Sequence, residues 1–279
     1  MVDTIKIIAT IVTYNPDIDR LNENIKSVYC QVDEIYIYDN ASKNVNQILD
    51  KINDQKIKIY CAKKNQGIAV ALNLSLQYAY DNGYEWLLQL DQDSVFPYNG
   101  IDEYKKIIAI NNEIGIIAPR IIDRNYQVNN EIKGEWEYID ETINSGALVN
   151  VCVWKKIGGY DEKIFLDNVD FDYDNNLRNN GYKIVRNNNV FLLHELGNTK
   201  RKKILGKEMM IYNYSAKRKY SQIIDQFYYE KKNGRQISKY VIIRRMMKYI
   251  FIAILFENDK INKVKSIVKA GIKSIELYT

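Results

Sequence analysis

Residues 86–94 read Trp86-Leu87-Leu88-Gln89-Leu90-Asp91-Gln92-Asp93-Ser94, an apolar run of strand length that stops on two carboxylates two positions apart. A short apolar run bounded by turn residues is the signature of a buried strand. The same pattern recurs on both sides of it. Ile5–Val12 is a strand closed by Thr13-Tyr14-Asn15-Pro16, Ile35–Tyr38 is closed by Asp39-Asn40, and Ile57–Ala62 is followed by Asn65-Gln66-Gly67. Ile114–Ala118 makes a fifth strand. Between these runs the apolar residues fall at helical spacing: Leu21, Ile25, Val28 and Tyr29, then Val45, Ile48, Leu49 and Ile52, then Leu72, Leu76 and Ala79 within Ile68–Tyr80, then Ile107–Ile110. Strands alternating with amphipathic helices predict an α/β fold, with a Rossmann-like, mostly parallel central sheet and helices on both faces. In such a sheet ligands gather at the carboxyl ends of the strands. The four polar clusters each follow a strand, so they are expected on one rim; each alone could equally be a plain turn.

Composition narrows the chemistry. With 46% apolar and 27% charged residues the chain is an ordinary globular one, not a disordered or fibrous one. A single histidine, His194, excludes poly-His metal centres. Cys30, Cys61 and Cys152 are odd in number and lack C-x-x-C spacing, which argues against a disulfide framework or a zinc site. Strand-like sequence begins almost at Met1, so no signal peptide is expected, and a reducing, cytoplasmic setting follows. The net charge of +5 hides an asymmetry: residues 200–279 carry 20 Lys and Arg against 6 Asp and Glu, whereas residues 1–199 carry 20 against 29. An acidic body of residues 1–205 and a basic helical extension of residues 206–279 suggest a body that holds a cation or polar substrate and a tail that meets an anionic surface.

Two acidic clusters bear on reactivity. Asp91 and Asp93 on a turn can share one hard cation through oxygen ligands, although D-x-D is common by chance and a solvated turn is the simpler explanation. Asp167, Asp170, Asp172 and Asp174 crowd the start of a helix that stops at Gly181. Acids in a first turn suit the helix dipole; one of them could also accept a proton from an attacking hydroxyl. His194 follows the apolar run Val190–Leu193 and could be a metal ligand, a diphosphate donor or a structural residue. Ser145-Gly146 could let backbone approach a substrate or be a turn.

The order of these clusters resembles the family 2 glycosyltransferases of GT-A fold, and within them the bacterial rhamnosyltransferase group. The resemblance is carried by Val12-Thr13-Tyr14-Asn15, Asp39-Asn40, Asn65-Gln66-Gly67 followed by Ala71 and Asn73, and Asp91-Gln92-Asp93. It continues through Ser145-Gly146, Ile157-Gly158-Gly159-Tyr160-Asp161-Glu162 with Phe165, Val169-Asp170-Phe171-Asp172, and His194-Glu195-Leu196-Gly197. It spans about residues 5–225. The resemblance implies that Thr13, Tyr14, Asn15, Asp39, Asn40, Asn65, Gly67, Asn73, Asp91 and Gln92 bind a nucleotide-sugar donor. It implies that Asp93 and His194 hold Mg²⁺ or Mn²⁺, and that Asp170 is the catalytic base of an inverting transfer. Ser145, Gly146 and Asp172 fall on the acceptor side. Many members have Glu before the base; here it is Val169, as in the rhamnosyl subset. Of that subset's Arg-x-Tyr-Tyr-x-x-Arg-Asn stretch, only the start survives in Arg218–Asp225.

The implied reaction moves a sugar, L-rhamnose from its dTDP donor, onto a glycan or lipid-linked acceptor in bacterial surface polysaccharide synthesis. The alternatives are a UDP-hexose or UDP-N-acetylhexosamine donor, and a non-catalytic sugar-nucleotide scaffold. Nucleic acid is not an expected partner, because the body is acidic and no nucleic-acid motif is present. Residues 239–256 are too interrupted by Arg244, Arg245 and Lys248 to span a bilayer, so an interfacial helix on the inner face of the plasma membrane is expected. The other reading of that segment is a helix packed on the catalytic domain or in a homodimer.

Overall fold

The first strand, β1 (Ile7–Thr13), is buried almost throughout, and its alternating residues serve two faces of one sheet. The computed structural model describes residues 5–52, 54–123, 134–194, 200–204 and 207–279. Ile7, Ala9 and Ile11 enter a core with Leu21, Ile25 and Val28 of α1 (Ile18–Val28) and Ile48 of α2 (Val45–Lys51). Residues of opposite parity face the other side, where the Thr10 hydroxyl donates to Ser75 Oγ of α3 (Ile68–Asp81) at 2.9 Å. Helices therefore cover both faces, as the sequence pattern predicts. Asp17 caps α1, its side chain accepting from the backbone N–H groups of Asp19 and Arg20.

The remaining elements of the sheet are β2 (Glu34–Asp39), β3 (Ile57–Cys61), β4 (Trp86–Asp91), β5 (Ile114–Asp123), β6 (Trp136–Ile139), β7 (Leu148–Asn150) and β8 (Lys183–His194). Their order is β3-β2-β1-β4-β7-β5-β8-β6. Pairings β3–β2, β2–β1, β1–β4 and β5–β8 are parallel. The short β7 runs antiparallel between β4 and β5, and β6 is antiparallel at the edge. Neither was legible from the pattern: three residues of β7 are too few to show a period. The chain leaves β1 in one direction to β2 and β3, then returns to the other side as β4. In open α/β sheets ligands bind beyond the strand ends at such a reversal of strand order, here between β1 and β4.

Three helices flank the second half of the sheet: α4 (Gly100–Ile108), α5 (Val151–Ile157) and α6 (Val169–Asn179). Gly115 of β5 lets α6 lie close, for a Cβ there would sit 2.5 Å from Leu177 Cδ1 and 3.0 Å from its Cγ. Cys30, Cys61 and Cys152 are free and exposed.

Packing divides the chain into two compact units, residues 1–162 with 169–195, and residues 163–168 with 196–279. The second contains the antiparallel pair β9 (Lys200–Ile204) and β10 (Lys207–Ile211), so the extension that the sequence reading makes helical from residue 206 opens on a strand. It then forms α7 (Ala216–Lys232), α8 (Lys239–Phe256) and α9 (Lys260–Tyr278). Its core joins Ile223, Phe227, Ile242, Met246, Ala253, Ile267 and Ala270. Glu257 is buried between Lys219 (2.7 Å) and Lys263 (3.0 Å), and Asn213 accepts from Lys263 Nζ at 2.7 Å. A carboxylate taken out of water needs such partners. Asp225 holds the 163–168 segment in this unit by accepting from the backbone N–H groups of Phe165, Leu166 and Asp167 at 3.1, 2.8 and 3.0 Å. None of the described helices is long and apolar enough to cross a membrane.

Gly115→Ala is expected to destabilise the protein by about 1–3 kcal/mol through overpacking against Leu177. Urea unfolding measures it, and adding Leu177→Val is expected to restore part of the loss. An unchanged midpoint for Gly115→Ala would show that α6 tolerates displacement.

Candidate active site

The parallel register brings three strand ends to one level: Val12 pairs with Asp91 and Thr13 with Asp39. Backbone pairing runs one step past these ends, Asn40 N–H donating to Thr13 O and Ala62 N–H to Asp39 O at 2.8 Å, and side chains then join the segments beyond. Thr13 Oγ1 donates to Asp39 Oδ1 (3.0 Å), and the other carboxylate oxygen accepts from Ser42 N–H (2.9 Å). Asn40 donates through Nδ2 to Gly67 O (3.0 Å) and accepts at Oδ1 from Gln66 N–H (2.8 Å), so β2 holds the turn that opens α3. Within that turn Asn65 Oδ1 accepts from Gly67 N–H (3.0 Å). Asn15, at φ 49°, donates its N–H to Ser42 Oγ (2.7 Å) and accepts from Lys43 N–H (2.8 Å). Tyr14 N–H donates to Gln92 Oε1 (2.8 Å). The four polar clusters are thus one hydrogen-bonded rim. Tyr14 is 44% exposed and available to a ligand, whereas Asp39 is 1% exposed, with both oxygens engaged by the protein.

Asp91 ends β4, and its turn is held from three sides. Asn24 of α1 donates to Asp91 O (2.6 Å), Asp91 N–H donates to Ser145 Oγ (3.3 Å), and Ser145 shares a 2.7 Å hydrogen bond with Ser94. This fixes the backbone from which Asp91, Gln92 and Asp93 project. Two half-buried carboxylates on one turn are hard oxygen donors of the kind Mg²⁺ or Mn²⁺ takes, with water and substrate phosphates completing the shell. Among the described residues no cluster of three or more His, Cys, Asp or Glu could hold a metal by itself. His194 is the last residue of β8; its side chain lies outside the described residues.

Asp170 lies in the first turn of α6, where Oδ1 accepts from Phe171 N–H at 3.0 Å. Asn168, just before the helix, takes the left-handed conformation at φ 68°. One turn beyond Asp170, Asp174 is buried and accepts from Thr142 N–H at 2.7 Å. Burial pushes the Asp174 carboxyl up to about 8; the Thr142 N–H opposes this, Asp170 and Glu141 add to it, and Arg178 opposes it. Arg178 is itself turned toward Asp140 and Asn175. Asp172 is 4% exposed, inside the protein rather than at an open acceptor surface.

Tyr160 connects these parts. It stacks on Tyr173 of α6 with ring centroids 4.2 Å apart, and its hydroxyl bonds Gln89 of β4 and Asn144. Gln89 is two residues before Asp91, and Asn144 is one residue before Ser145. The helix carrying Asp170 and the turn carrying Asp91 and Asp93 are therefore tied through the same 142–146 segment. Gln89 and Thr142 are the residues that sequence reasoning did not single out as site components. Tyr160 left a trace in the Gly158–Glu162 run, and Asp174 in the acidic cluster at the start of α6.

Two predicted site residues have protein partners instead of an open face. Asn73 accepts from Trp154 Nε1 and Tyr160 N–H, and donates to Tyr160 O and Glu162 Oε1, which bolts α3 to the turn after α5. Gly146, at φ 79°, is required because a Cβ would lie 2.6 Å from Pro119 Cγ and 3.0 Å from Leu192 Cδ2. Its close approach is to the protein's own side chains.

Comparison with known proteins places the chain. Residues 9–142 match the family model Glycosyl transferase family 2. The chain is 30% identical over 244 residues to dTDP-rhamnosyl transferase RfbF of Shigella flexneri, covering 81% of this chain and 80% of that protein. Among solved structures, GalNAc-T7 with UDP, GalNAc and Mn²⁺ superposes with a TM-score of 0.60 at 14% identity, over 100% of this chain and 56% of that one. TarS 1–349 of S. aureus in complex with UDP gives 0.54 at 13% identity, covering 97% and 81%. Its complex with UDP-GlcNAc gives 0.52 at 13% identity, with the same coverage. These likenesses establish the GT-A fold. The chain belongs to glycosyltransferase family 2, is similar to its bacterial rhamnosyltransferases, and is a glycosyltransferase.

The raised Asp174 carboxyl links stability to pH. Its folded value, about 8, lies above its ordinary value of 3.8, so its contribution is fully present below about pH 4 and is lost as pH rises through 8. Asp174→Asn keeps an acceptor for Thr142 and abolishes the titration. Between about pH 5 and pH 8 the native protein is expected to lose on the order of 2–4 kcal/mol relative to the variant, by urea unfolding. Parallel pH profiles would show that the carboxyl is ionised throughout.

Proposed function

We propose that this family 2 glycosyltransferase carries out an inverting, divalent-metal-dependent transfer of L-rhamnose from dTDP-L-rhamnose to a glycan or lipid-linked acceptor in surface polysaccharide synthesis. The observation that supports the reading is the shared tether of α6, which carries Asp170, and of the Asp91–Asp93 turn to residues 142–146. The donor assignment is supported by the 30% identity to a dTDP-rhamnosyl transferase over four fifths of both chains. The TarS complex with UDP-GlcNAc favours a UDP-sugar as the second candidate donor.

In this reading the exposed Tyr14 and the rim from Thr13 to Gln92 receive the nucleotide, with Asn40 and Gly67 shaping the pocket wall. Asp93, with Asp91 and His194, would hold Mg²⁺ or Mn²⁺, which when bound neutralises charge on the departing diphosphate. Asp170 accepts the proton of the acceptor hydroxyl as its oxygen bonds the anomeric carbon. The carbon–oxygen bond to the diphosphate breaks on the opposite face, inverting the centre. Such general-base assistance is worth roughly 10²–10⁴-fold. Thr142, Ser145 and Tyr160 hold the two halves in place without touching the reacting atoms. Residues 1–205 form the catalytic domain, and the basic helical extension rests on the anionic inner face of the plasma membrane, where a lipid-linked acceptor would be found.

Purified Asp170→Asn is expected to bind donor with unchanged affinity by calorimetry yet lose about 10²–10⁴-fold in transfer rate; full activity would remove it as the base. Release of nucleoside diphosphate, assayed across a panel of donors, is expected from dTDP-L-rhamnose above all others. EDTA should abolish that release and Mg²⁺ or Mn²⁺ restore it, while indifference to chelation would exclude the assigned metal role.

A further inference from the structure

The second unit repeats one surface pattern on two helices. On α9 the core face is Lys263, Ile267, Ala270, Gly271 and Ser274. At 3.6 residues per turn, Val264, Val268 and Ile272 form a second row roughly 110° round from that face, and Lys265, Lys269 and Lys273 form a third row beside it. Val268 is 44% exposed and Ile272 56% exposed, so this apolar row is not part of the core. With Tyr220 of α7 the two rows line an open groove of about 540 Å³. Lys269 Nζ stands 5.7 Å from the Tyr220 ring centroid, and Lys273 meets Glu276 at 3.5 Å on the surface. The three ammonium groups recur every four residues, about 6 Å apart along the axis. On α8 the pattern recurs: Ile243, Met247, Phe251 and Ile254 form an exposed apolar row outside the Ile242–Met246–Ala253 core face, with Arg244 and Lys248 next to it.

A line of cations parallel to a line of apolar side chains matches one environment. At a bilayer surface the phosphate layer lies directly above the first acyl carbons, and lysine stems extend along the apolar row while their heads reach the phosphates. Another copy of the basic tail would repel this face, since residues 200–279 carry 20 basic against 6 acidic side chains. We propose that the α7–α9 groove lies on the anionic phospholipids of a bilayer, their phosphates on Lys265, Lys269 and Lys273 and their acyl carbons over Val264, Val268 and Ile272 against Tyr220. This deepens the membrane reading above and rests on it, naming the side chains that hold the lipid.

The test is flotation of the full chain on phosphatidylglycerol-containing vesicles and on pure phosphatidylcholine vesicles. The native protein is expected to float with the first and not the second. Lys265→Gln/Lys269→Gln/Lys273→Gln should weaken that binding about 100-fold, given roughly 1 kcal/mol per cation near the surface. Val268→Ser/Ile272→Ser should weaken it by at least tenfold with the charges intact. All variants should keep the native unfolding midpoint. If native protein floats on neither vesicle, the membrane reading itself falls. Native flotation with undiminished variants overturns the groove assignment alone. Two further results overturn it. Displacement from the vesicles by inorganic phosphate at matched ionic strength would identify free phosphate as the ligand. A dimer in light scattering that the groove variants dissociate would make this face an interface between copies.

Discussion

The site depends on the register of β2, β1 and β4. Their side-by-side parallel pairing ends Thr13, Asp39 and Asp91 at one level. A slip of one residue would send every side chain of a strand to the opposite face and separate these ends. Burial enforces the register, because Ile7, Ala9, Ile11, Ile35, Ile37 and Leu88 must all enter one core. Removing them from water contributes on the order of 1.5–3 kcal/mol per large side chain, far more than a single rim hydrogen bond contributes. Hydrophobic packing therefore aligns the strands, and the rim bonds refine what that alignment brings together.

Beyond the sheet, the molecule spends buried polar groups on positioning. Tyr160, Gln89, Asn144, Ser145 and Ser94 are linked across elements far apart in sequence. Buried polar atoms are tolerated when each finds a partner, and their geometry then becomes specific. Here the result is a framework between α6 and the β4 turn that leaves Tyr14 open to a ligand. Asp174 belongs to that framework as a buried carboxyl held neutral by its surroundings. Of the acids at the start of α6, Asp174 is thus set apart as the one that burial holds protonated.

The second unit is built on a different principle. Its helices enclose an ionic cluster in which two lysines meet one glutamate, and they leave apolar rows beside basic ones on the outside. Arg245 and Arg235 converge on Glu230, so part of the basic excess is neutralised locally. On α9, Lys265, Lys269 and Lys273 lie beside the apolar row of Val264, Val268 and Ile272, with Lys273 also meeting Glu276.

The alternation of apolar strands and amphipathic helices was legible in the sequence, because burial imposes periods of 2 and 3.6 on any chain of this architecture. So were the four rim clusters, since each follows a strand, and the family resemblance of their order. The β7 insertion and the β9–β10 hairpin were not, as three to five residues carry no reliable period. Nor was the engagement of Asn73 and Asp39 by the protein itself. Residue type and order determined which groups could bind a nucleotide sugar, hold a cation or take a proton. Which of them are open and which are locked to neighbours, and that Thr142, Tyr160 and Asp174 join the two acidic segments, only the tertiary structure decided: hydrogen bonds between residues up to 89 positions apart leave no local pattern in a chain.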